Sequence, residues 1–416
     1  MKPRSQPAAR RRFLLGAGAA VAGFGLPQHV RAEPAAEGWR VLRAGGVRSA
    51  GNAGEPRWGY DGTAPGPTLR LKRGEELRLR LVNDLAEPTA IHWHGVRVPN
   101  AMDGVPLLTQ QAVGPGTSFD YRFRPPDAGT FWYHAYSPGQ IDRGLHGALV
   151  VEEGEPVKVD RDIVLVLAMP AEAGGSPVLV NGSLRPDIPV KTGERVRLRL
   201  INATAARGLS LKLEGHIPWV MAIDGQPAEP FVARDSRLGL GPGSRVDLFV
   251  DMMRDAETVA PILAGLRDEQ PIARLVYQSG GRARPPSQSP PLPLPPNPLP
   301  ARIDLKSALR VELALADGKP LEAAGAPLFT VKRGRAVTLA LRNTTGRPQI
   351  AHVHGHSCRL LDRLDDGWKP YWLDTLVAGA EIERIAFVAD NPGKWMIAWR
   401  TLERPETAAA TWFAVS

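Results

Sequence analysis

One segment occurs three times in this 416-residue chain, and the repeat limits the possible folds more than any other feature. The copies span residues 72–83, 191–202 and 332–343. Each has a glycine turn, then alternating apolar and polar residues, then an asparagine, which is the pattern of a half-buried strand between two turns. The copies are offset by 119 and 141 residues, far more than the roughly 20 to 50 of a solenoid repeat. Because no long helical periodicity interrupts them, we predict an all-β chain of three similar β-sandwich domains in tandem.

A proline-rich stretch separates the second copy of the repeat from the third. Nine of the sixteen residues from 285 to 300 are proline, a composition that favours an extended, semi-rigid linker. A ligand for a proline-recognition domain is the alternative interpretation. With this linker at 285–300, we predict a first domain at 33–155, a second at 156–284 and a third at 301–416.

The N-terminus has the pattern of an export signal. Arg10-Arg11-Arg12-Phe13-Leu14 precedes an apolar, Ala/Gly-rich run, and Ala32 offers a small residue for cleavage, as in a signal peptide. The arginine pair followed by Phe-Leu resembles the twin-arginine (Tat) signal, and a general secretory signal is the alternative. We therefore predict a Tat signal peptide at residues 1–32 and a periplasmic mature protein.

The basic charge of the chain is concentrated in that predicted signal. Residues 1–32 contain six basic residues and no acidic one, so that the net charge falls from +9 to +3 without them. This balance argues against a nucleic-acid partner. Beyond residue 32 no uncharged apolar run reaches the ~18 residues of a membrane span, so the mature form is not expected to span a membrane.

Two histidine pairs follow the repeat at a fixed distance. Nine residues after the repeat's asparagine stand His92 and His94 in the first domain and His352 and His354 in the third, whereas the second has leucines. Residues i and i+2 of a strand point to one face, about 6.6 Å apart along it, and imidazole suits copper, zinc, iron and nickel. The matched pairs predict a metal site shared by the first and third domains.

The two histidine pairs resemble motifs of the three-domain, laccase-like multicopper oxidases. Three further segments share this resemblance: Gly129-Thr130-Phe131-Trp132-Tyr133-His134, Gly144-Leu145-His146-Gly147 and Asn391-Pro392-Gly393-Lys394-Trp395. The resemblance implies three cupredoxin-like Greek-key β-sandwich domains and a copper cofactor. It places His92 and His352 at ligands of the single type 2 copper, and His94, His134 and His354 at ligands of the paired type 3 coppers.

The chain departs from that family at the other copper ligands. Tyr136 replaces one histidine, and Ala398-Trp399-Arg400 stands where the family has His-Cys-His. The remaining positions of the blue, type 1 copper correspond to Gln349, Arg404 and Ala409. The resemblance therefore implies a protein without type 1 copper, in which the charge of Arg400 disfavours the paired ions. Cys358, the single cysteine, is expected to be a small buried hydrophobe on the strand of His356.

Three functions are compatible with these residues. The first is an exported copper protein that binds one type 2-like ion, or none, through His92, His94, His134, His352 and His354. It would be at most a copper-dependent oxidoreductase, and laccase-type turnover is not expected. The second is a copper-free, non-catalytic periplasmic interaction protein, such as a cell-division scaffold with protein partners. The third, a hydrolytic zinc site, lacks an evident acidic residue beside the histidine pairs to act as general base.

Overall fold

The structure is a computed structural model that describes residues 38–47, 57–170, 177–265, 268–280, 290–318, 321, 325–361, 368–379 and 382–416. Nearly all its regular structure is β-strand, which confirms the all-β prediction. The only α-helix in these ranges is α1 (Pro138–Asp142), and none of their helices is long and apolar enough to cross a membrane. The predicted signal peptide, residues 1–32, lies outside the described residues, as do linker residues 285–289.

The first β-sandwich has two four-stranded sheets, ordered β2-β1-β4-β6 and β3-β8-β7-β5. Its strands are β1 (Arg40–Gly46), β2 (Trp58–Tyr60), β3 (Gly66–Lys72), β4 (Leu77–Asn83), β5 (Ile91–His94), β6 (Ser118–Phe123), β7 (Gly129–Ala135) and β8 (His146–Glu152).

The second β-sandwich has a six-stranded sheet, β10-β9-β12-β17-β14-β15, and a five-stranded sheet, β11-β19-β18-β13-β16. Its strands are β9 (Arg161–Ala168), β10 (Leu179–Val180), β11 (Asp187–Lys191), β12 (Arg195–Asn202), β13 (Leu209–Leu213), β14 (Pro218–Ile223), β15 (Gln226–Val232), β16 (Arg237–Leu240), β17 (Arg245–Asp251), β18 (Val259–Ala264) and β19 (Gln270–Gln278).

The third β-sandwich has two five-stranded sheets, β20-β22-β27-β24-β25 and β21-β29-β28-β23-β26. Its strands are β20 (Leu309–Leu315), β21 (Thr330–Val331), β22 (Ala336–Asn343), β23 (Gln349–Val353), β24 (Cys358–Leu361), β25 (Trp368–Leu373), β26 (Thr375–Ala378), β27 (Ile382–Val388), β28 (Gly393–Thr401) and β29 (Ala409–Val415).

The repeated segment occupies the same place in each sandwich. Its strand (β4, β12 or β22) lies between the sandwich's first strand, to which it runs parallel, and a later antiparallel strand. In the facing sheet the last strand pairs in parallel with the strand just before the repeat. Three equivalent Greek-key sandwiches in tandem therefore account for the threefold repeat. The exact domain limits at 155/156, 284/285 and 300/301 stay predictions.

The asparagine that ends each repeat fixes the turn after it. In Asn83, Asn202 and Asn343 the side-chain amide donates to main-chain carbonyl oxygens, and its oxygen accepts the N–H two residues further on at 3.0 to 3.1 Å. This is the local hydrogen bonding that makes asparagine a turn residue. The same turn after each copy brings the next strand to the same position, which explains the constant nine-residue offset.

The half-buried strand that the alternation in the repeat predicts is wrong for the second sandwich, where both faces of β12 are buried. Arg197 and Arg199, the outward residues, are each 1% exposed because they lie against the first sandwich. The Arg199 guanidinium donates to Thr130 Oγ1 on β7 at 2.9 Å, and both arginines pair with Asp247. Buried charges need such partners, so this strand packs the second sandwich onto the first.

The apolar cores show where the sandwiches meet. The cores of the first and third form one continuous cluster, whereas the second has its own. Residues 290–300 of the predicted linker contain neither helix nor strand. The Asn297 side chain exchanges two hydrogen bonds of 2.8 Å with the main chain of Ala128, which anchors the linker to the first sandwich. The first and third sandwiches therefore share an apolar core at the seam between them.

Candidate metal centre

The five predicted histidines come from three strands of that seam. His92 and His94 lie on β5, and His134 lies directly opposite His92 on β7. His352 lies on β23, and His354 follows its end. All five residues are between 2% and 8% exposed. The equivalent strand of the second sandwich, β13, carries the leucines of its own core.

The structure brings the two histidine pairs into contact across the seam. His92 Nε2 is 3.2 Å from His352 Nε2, and the His94 and His352 rings stack with centroids 3.8 Å apart. His134 Nε2 is 3.2 Å from His94 Nδ1, and the His354 ring centroid is 4.0 Å from that of His92. Three groups have ligand atoms within 4.8 Å of one another and could hold a metal ion: His92, His352 and His354; His92, His94 and His134; His94, His352 and Asp374.

Main-chain carbonyl groups set the tautomers of the two histidines that face each other. His92 Nδ1 donates to the carbonyl oxygen of Asp103, and His352 Nδ1 donates to that of Asp374, both at 2.9 Å. A carbonyl oxygen is only an acceptor, and a neutral imidazole has a single N–H. When both rings are neutral, their Nε2 atoms are therefore two bare lone pairs pointing at each other.

Two lone pairs 3.2 Å apart cannot hydrogen-bond, and a cation between them relieves the repulsion. Two nitrogens at ~2.05 Å from one tetrahedral metal ion lie about 3.3 Å apart. The separation of His92 Nε2 and His352 Nε2 agrees with this value. An N–H held by a carbonyl oxygen on the far side of the ring is also the usual support of a metal-binding histidine. The residues thus fit one metal ion at the seam.

Two carboxylates that sequence reasoning missed lie against the cluster. Asp103 Oδ2 accepts a hydrogen bond from His354 Nδ1 at 3.0 Å, and Asp374 Oδ1 lies 3.4 Å from His352 Nδ1 and from His94 Nε2. The expectation that no acidic residue lies beside the pairs is wrong, since both come from separate segments of the chain. The available signal was a single charge in each of the apolar runs Ala101–Pro106 and Tyr371–Ala378.

Arg245 holds one of these carboxylates in place. Its guanidinium is fully buried and donates to both oxygens of Asp374, at 2.8 and 2.5 Å, and to the carbonyl oxygens of Gly243 and Asp224. Burial alone would raise the pKa of Asp374, but the Arg245 charge outweighs it and holds that pKa well below its usual range. Gly95 leaves the necessary space, because any Cβ there would lie 2.1 Å from Arg245 Nη2. Arg245 of the second sandwich thus positions Asp374 of the third, beside His352.

A cavity of about 70 Å³ adjoins the histidines. Besides these it is lined by residues of all three sandwiches, among them Tyr136, Pro242, Ala398 and Arg400. Ala398 lies opposite His352 on the neighbouring strand β28, and Arg400 lies opposite Ile350. Two of the positions that differ from the oxidase motif therefore bring a methyl group and a guanidinium to the cavity.

Trp399 lines the cavity next to Ala398 and Arg400 and also belongs to the shared core. It is 2% exposed, and its indole N–H donates to the carbonyl oxygen of Ala316 at 2.8 Å. Its cross-strand neighbours are both alanines, Ala351 and Ala409, which leave room for the ring. Gln349 is buried and donates to Thr401 Oγ1 at 2.7 Å, while Arg404 pairs with Glu406 at the surface.

Cys358 lies on β24, in the sheet that faces the histidine-bearing strand β23. The expectation that it shares a strand with His356 is wrong, because β23 ends at Val353 and a turn at Gly355 leads to β24 in the opposite sheet. The thiol is buried in the shared core, and burial raises its pKa. It is a packing residue with little thiolate character.

Burial keeps four of the five clustered histidines neutral. It lowers the pKa of His94 and His134 well below the ordinary value, lowers that of His352, and lowers that of His354 to about 3. Two further buried histidines, His146 and His356, have pKa values lowered to about 4 by the same cause. Neutral imidazole is the form that binds metal, so these four histidines can bind an ion without first losing protons at neutral pH.

These shifts predict that the metal-free protein loses stability on acidification. The unfolded chain takes up protons near the ordinary histidine pKa of about 6.5, whereas the folded chain does not until much lower pH. Stability is thus complete above pH ~6.5 and falls below it, by about 1.4 kcal/mol per pH unit for each such histidine. We expect the slope of the free energy of unfolding between pH 6 and 5, from urea titrations, to match at least about three protons. A slope of one proton or less would contradict the buried neutral cluster.

Three β-sandwiches define a protein of the multi-domain cupredoxin class, and the histidine cluster between the first and third could hold a metal ion. Multicopper oxidase profiles match residues 43–156, 132–269 and 295–415. A crystal structure of a multicopper oxidase from Pseudomonas thermotolerans aligns with a TM-score of 0.80 and 34% identity, covering 91% of this chain and 99% of that one. The chain belongs to the multicopper oxidase family.

Two sequence relatives have the same family name. Multicopper oxidase MmcO of Mycobacterium tuberculosis is 28% identical over 407 residues, covering 81% of this chain and 79% of that protein. A multicopper oxidase of Staphylococcus aureus is 32% identical over 225 residues, covering 48% of this chain and 49% of that protein. The family implies copper as the metal and oxidoreductases as the coarse functional class.

Proposed function

We propose that this protein is an exported copper-binding member of the family that holds one type 2-like copper ion between the first and third sandwiches. In this proposal type 1 copper has been lost, and any oxidoreductase activity is weak or altered. The observation that carries the proposal is the position of His92 Nε2 and His352 Nε2, which face each other across the seam at 3.2 Å. Their tautomers are set by main-chain carbonyl groups on both sides of the seam.

The lining of the cavity supports a single ion rather than three. Ala398 offers no ligand, Tyr136 has replaced an imidazole with a neutral phenol whose pKa is raised by burial, and Arg400 adds a permanent positive charge. Like charges in a site that excludes water repel strongly. A second and a third cation would therefore have to bind beside a guanidinium and with fewer ligands.

The surroundings of Trp399 support the loss of type 1 copper. Its indole nitrogen is a hydrogen-bond donor only, and the ring fills the space between two alanines in the core. Gln349, Arg404 and Ala409 are committed to other contacts or have no ligand atom. A blue copper centre requires a thiolate and two imidazoles, and the residues at these positions do not fit one.

Each residue of the proposed centre has a definite task. His92 and His352 would hold the ion, with help from one or more of His94, His134 and His354. Copper bound there would supply a one-electron redox couple and a Lewis acid. The carbonyl oxygen of Asp103 and both the carbonyl and carboxylate of Asp374 orient the imidazoles, and Arg245 orients Asp374.

The proposal also includes export of the protein. The Arg10-Arg11-Arg12-Phe13-Leu14 segment and the apolar run behind it support passage by the twin-arginine route into the periplasm. Copper and, in the alternative below, periplasmic proteins are the partners in this proposal.

The experiment that tests the proposal is a visible spectrum of the copper-loaded mature protein together with an assay of phenol oxidation. We expect no intense blue absorption and no laccase-level turnover, because there is no thiolate at position 399. Cys358→Ser is the matched control, since Cys358 is the only thiol in the chain, and its spectrum should equal that of the wild type. A blue band in the wild type that disappears in Cys358→Ser would overturn the proposal.

One observation favours a second candidate, a copper-free interaction protein. The indole of Trp399 lies within the shared core at the position where the family resemblance puts the electron-entry ligand, and in this candidate the chain would not pass electrons from a substrate as a laccase does. Protein purified from copper-supplemented cells distinguishes the two candidates. Copper retained at the seam supports the first, and protein without any metal supports the second.

A further inference from the structure

Two hydrogen-bond donors line the cavity beside the histidines without any partner. Among the residues that the structure describes, the Arg400 guanidinium makes no hydrogen bond or ion pair, and its Nε is enclosed by protein. The Tyr136 hydroxyl likewise makes no hydrogen bond within the described ranges. Both side chains line the same cavity as His134 and His352.

An unpaired buried guanidinium is costly to the folded protein. Buried charges are normally paired, because their desolvation is otherwise uncompensated. Burial lowers the pKa of Arg400 to about 10, so the group remains charged at neutral pH, and the acidic group that opposes this shift is Asp142. Asp142 does not form an ion pair with Arg400 within 4.0 Å, and it accepts instead from the main-chain N–H of Ala205. The neutral histidines contribute no negative charge.

We propose that this cavity binds a small monovalent oxyanion of the formate or bicarbonate class, held by the Arg400 guanidinium and the Tyr136 hydroxyl. Guanidinium presents two parallel N–H donors that match a planar carboxylate-like group. Both residues stand where the family motif has histidines, so the replacements exchange two cation ligands for two anion donors. The inference does not depend on copper, because neither donor needs a metal ion nearby.

The dimensions of the cavity restrict the ligand. A volume of about 70 Å³ is about half that of a cavity that accommodates benzene, which suits an anion of three or four heavy atoms. A larger carboxylate with the same charge, such as benzoate, does not fit. Benzoate therefore separates binding inside the cavity from general attraction to a basic surface.

The test is isothermal titration calorimetry of the metal-free mature protein with sodium formate in a chloride-free buffer. We expect saturable binding of one formate per chain and none of benzoate. Arg400→Gln should weaken formate binding by about 50-fold or more, because a charged bidentate contact is lost. Tyr136→Phe should weaken it by about fivefold, the effect of one neutral hydrogen bond.

Arg404→Gln is the matched control, since Arg404 is an exposed arginine paired with Glu406, and its formate affinity should equal that of the wild type. If Arg400→Gln does not fold, Arg400→Lys keeps the charge but loses the paired donors, and we expect it to bind formate at least about tenfold more weakly. The proposal is overturned if wild-type protein shows no saturable formate binding, if benzoate binds equally well, or if the Arg400 variants keep the wild-type affinity.

Discussion

Replacing both His92 and His352 by alanine is expected to abolish copper retention by the mature protein. These residues supply the two facing nitrogens of the seam, 3.2 Å apart. The double variant lacks this pair of ligands, one from the first sandwich and one from the third. An ion that binds only the folded assembly stabilises it, by about 4 kcal/mol at a concentration 1,000 times its Kd. The wild type should therefore show a copper-induced rise in melting temperature, and the double variant should show none.

His216→Ala is the control for this experiment. His216 is a buried histidine of the second sandwich whose Nε2 contacts the Tyr277 hydroxyl at 2.6 Å, and its replacement should leave the copper-induced rise unchanged. The double variant should still fold, because neither the core shared by the first and third sandwiches nor the core of the second contains a histidine. If the double variant retains copper after desalting, the metal is bound elsewhere.

Replacing Arg245 by methionine is expected to destabilise the protein by about 3–5 kcal/mol, the cost of leaving a buried carboxylate without its partner. Arg245 makes paired hydrogen bonds to Asp374 at 2.8 and 2.5 Å and is fully buried. Asp374 also orients His352 and His94. Loss of such an outer contact typically weakens metal binding by about 10–100-fold, so copper affinity should fall together with stability.

The control for this variant is Arg274→Met in the same sandwich. Arg274 pairs with Asp187 at 2.6 Å, but both side chains are 52% exposed, and such pairs contribute at most about 1 kcal/mol. Urea unfolding of the two metal-free variants gives the comparison. Arg245→Met and Arg274→Met with equal free energies of unfolding would show that Asp374 does not depend on Arg245.

The fold could be predicted from the sequence because its main signals are local. The alternation in each repeat is written into consecutive residues, and the asparagine turn is closed largely by residues within five positions of it. Because the three copies of the repeat have the same local structure, the strand that follows each copy takes the same position in its sandwich. The prediction that His92, His94, His352 and His354 lie together depended on that equality, whereas His134 was added by the family resemblance. The structure places all five at one seam.

The supporting residues could not be predicted because their contacts join distant segments. Asp374 follows His352 by 22 residues, and Arg245 belongs to a different sandwich. Burial of Arg197 and Arg199 depends likewise on the first sandwich covering β12. Alternation along a strand shows which residues share a face, but it does not show whether a neighbouring domain covers the outer face.

The central claim, one copper ion at the seam, is tested most directly by the copper content of the mature protein. Protein loaded with excess Cu(II), desalted and analysed by mass spectrometry for metal per chain should contain one copper. Electron paramagnetic resonance should account for all of it as a non-blue Cu(II) with nitrogen ligands. Two or more coppers per chain would contradict the effect assigned to Arg400, Ala398 and Tyr136, and protein that retains no copper would contradict the seam site itself.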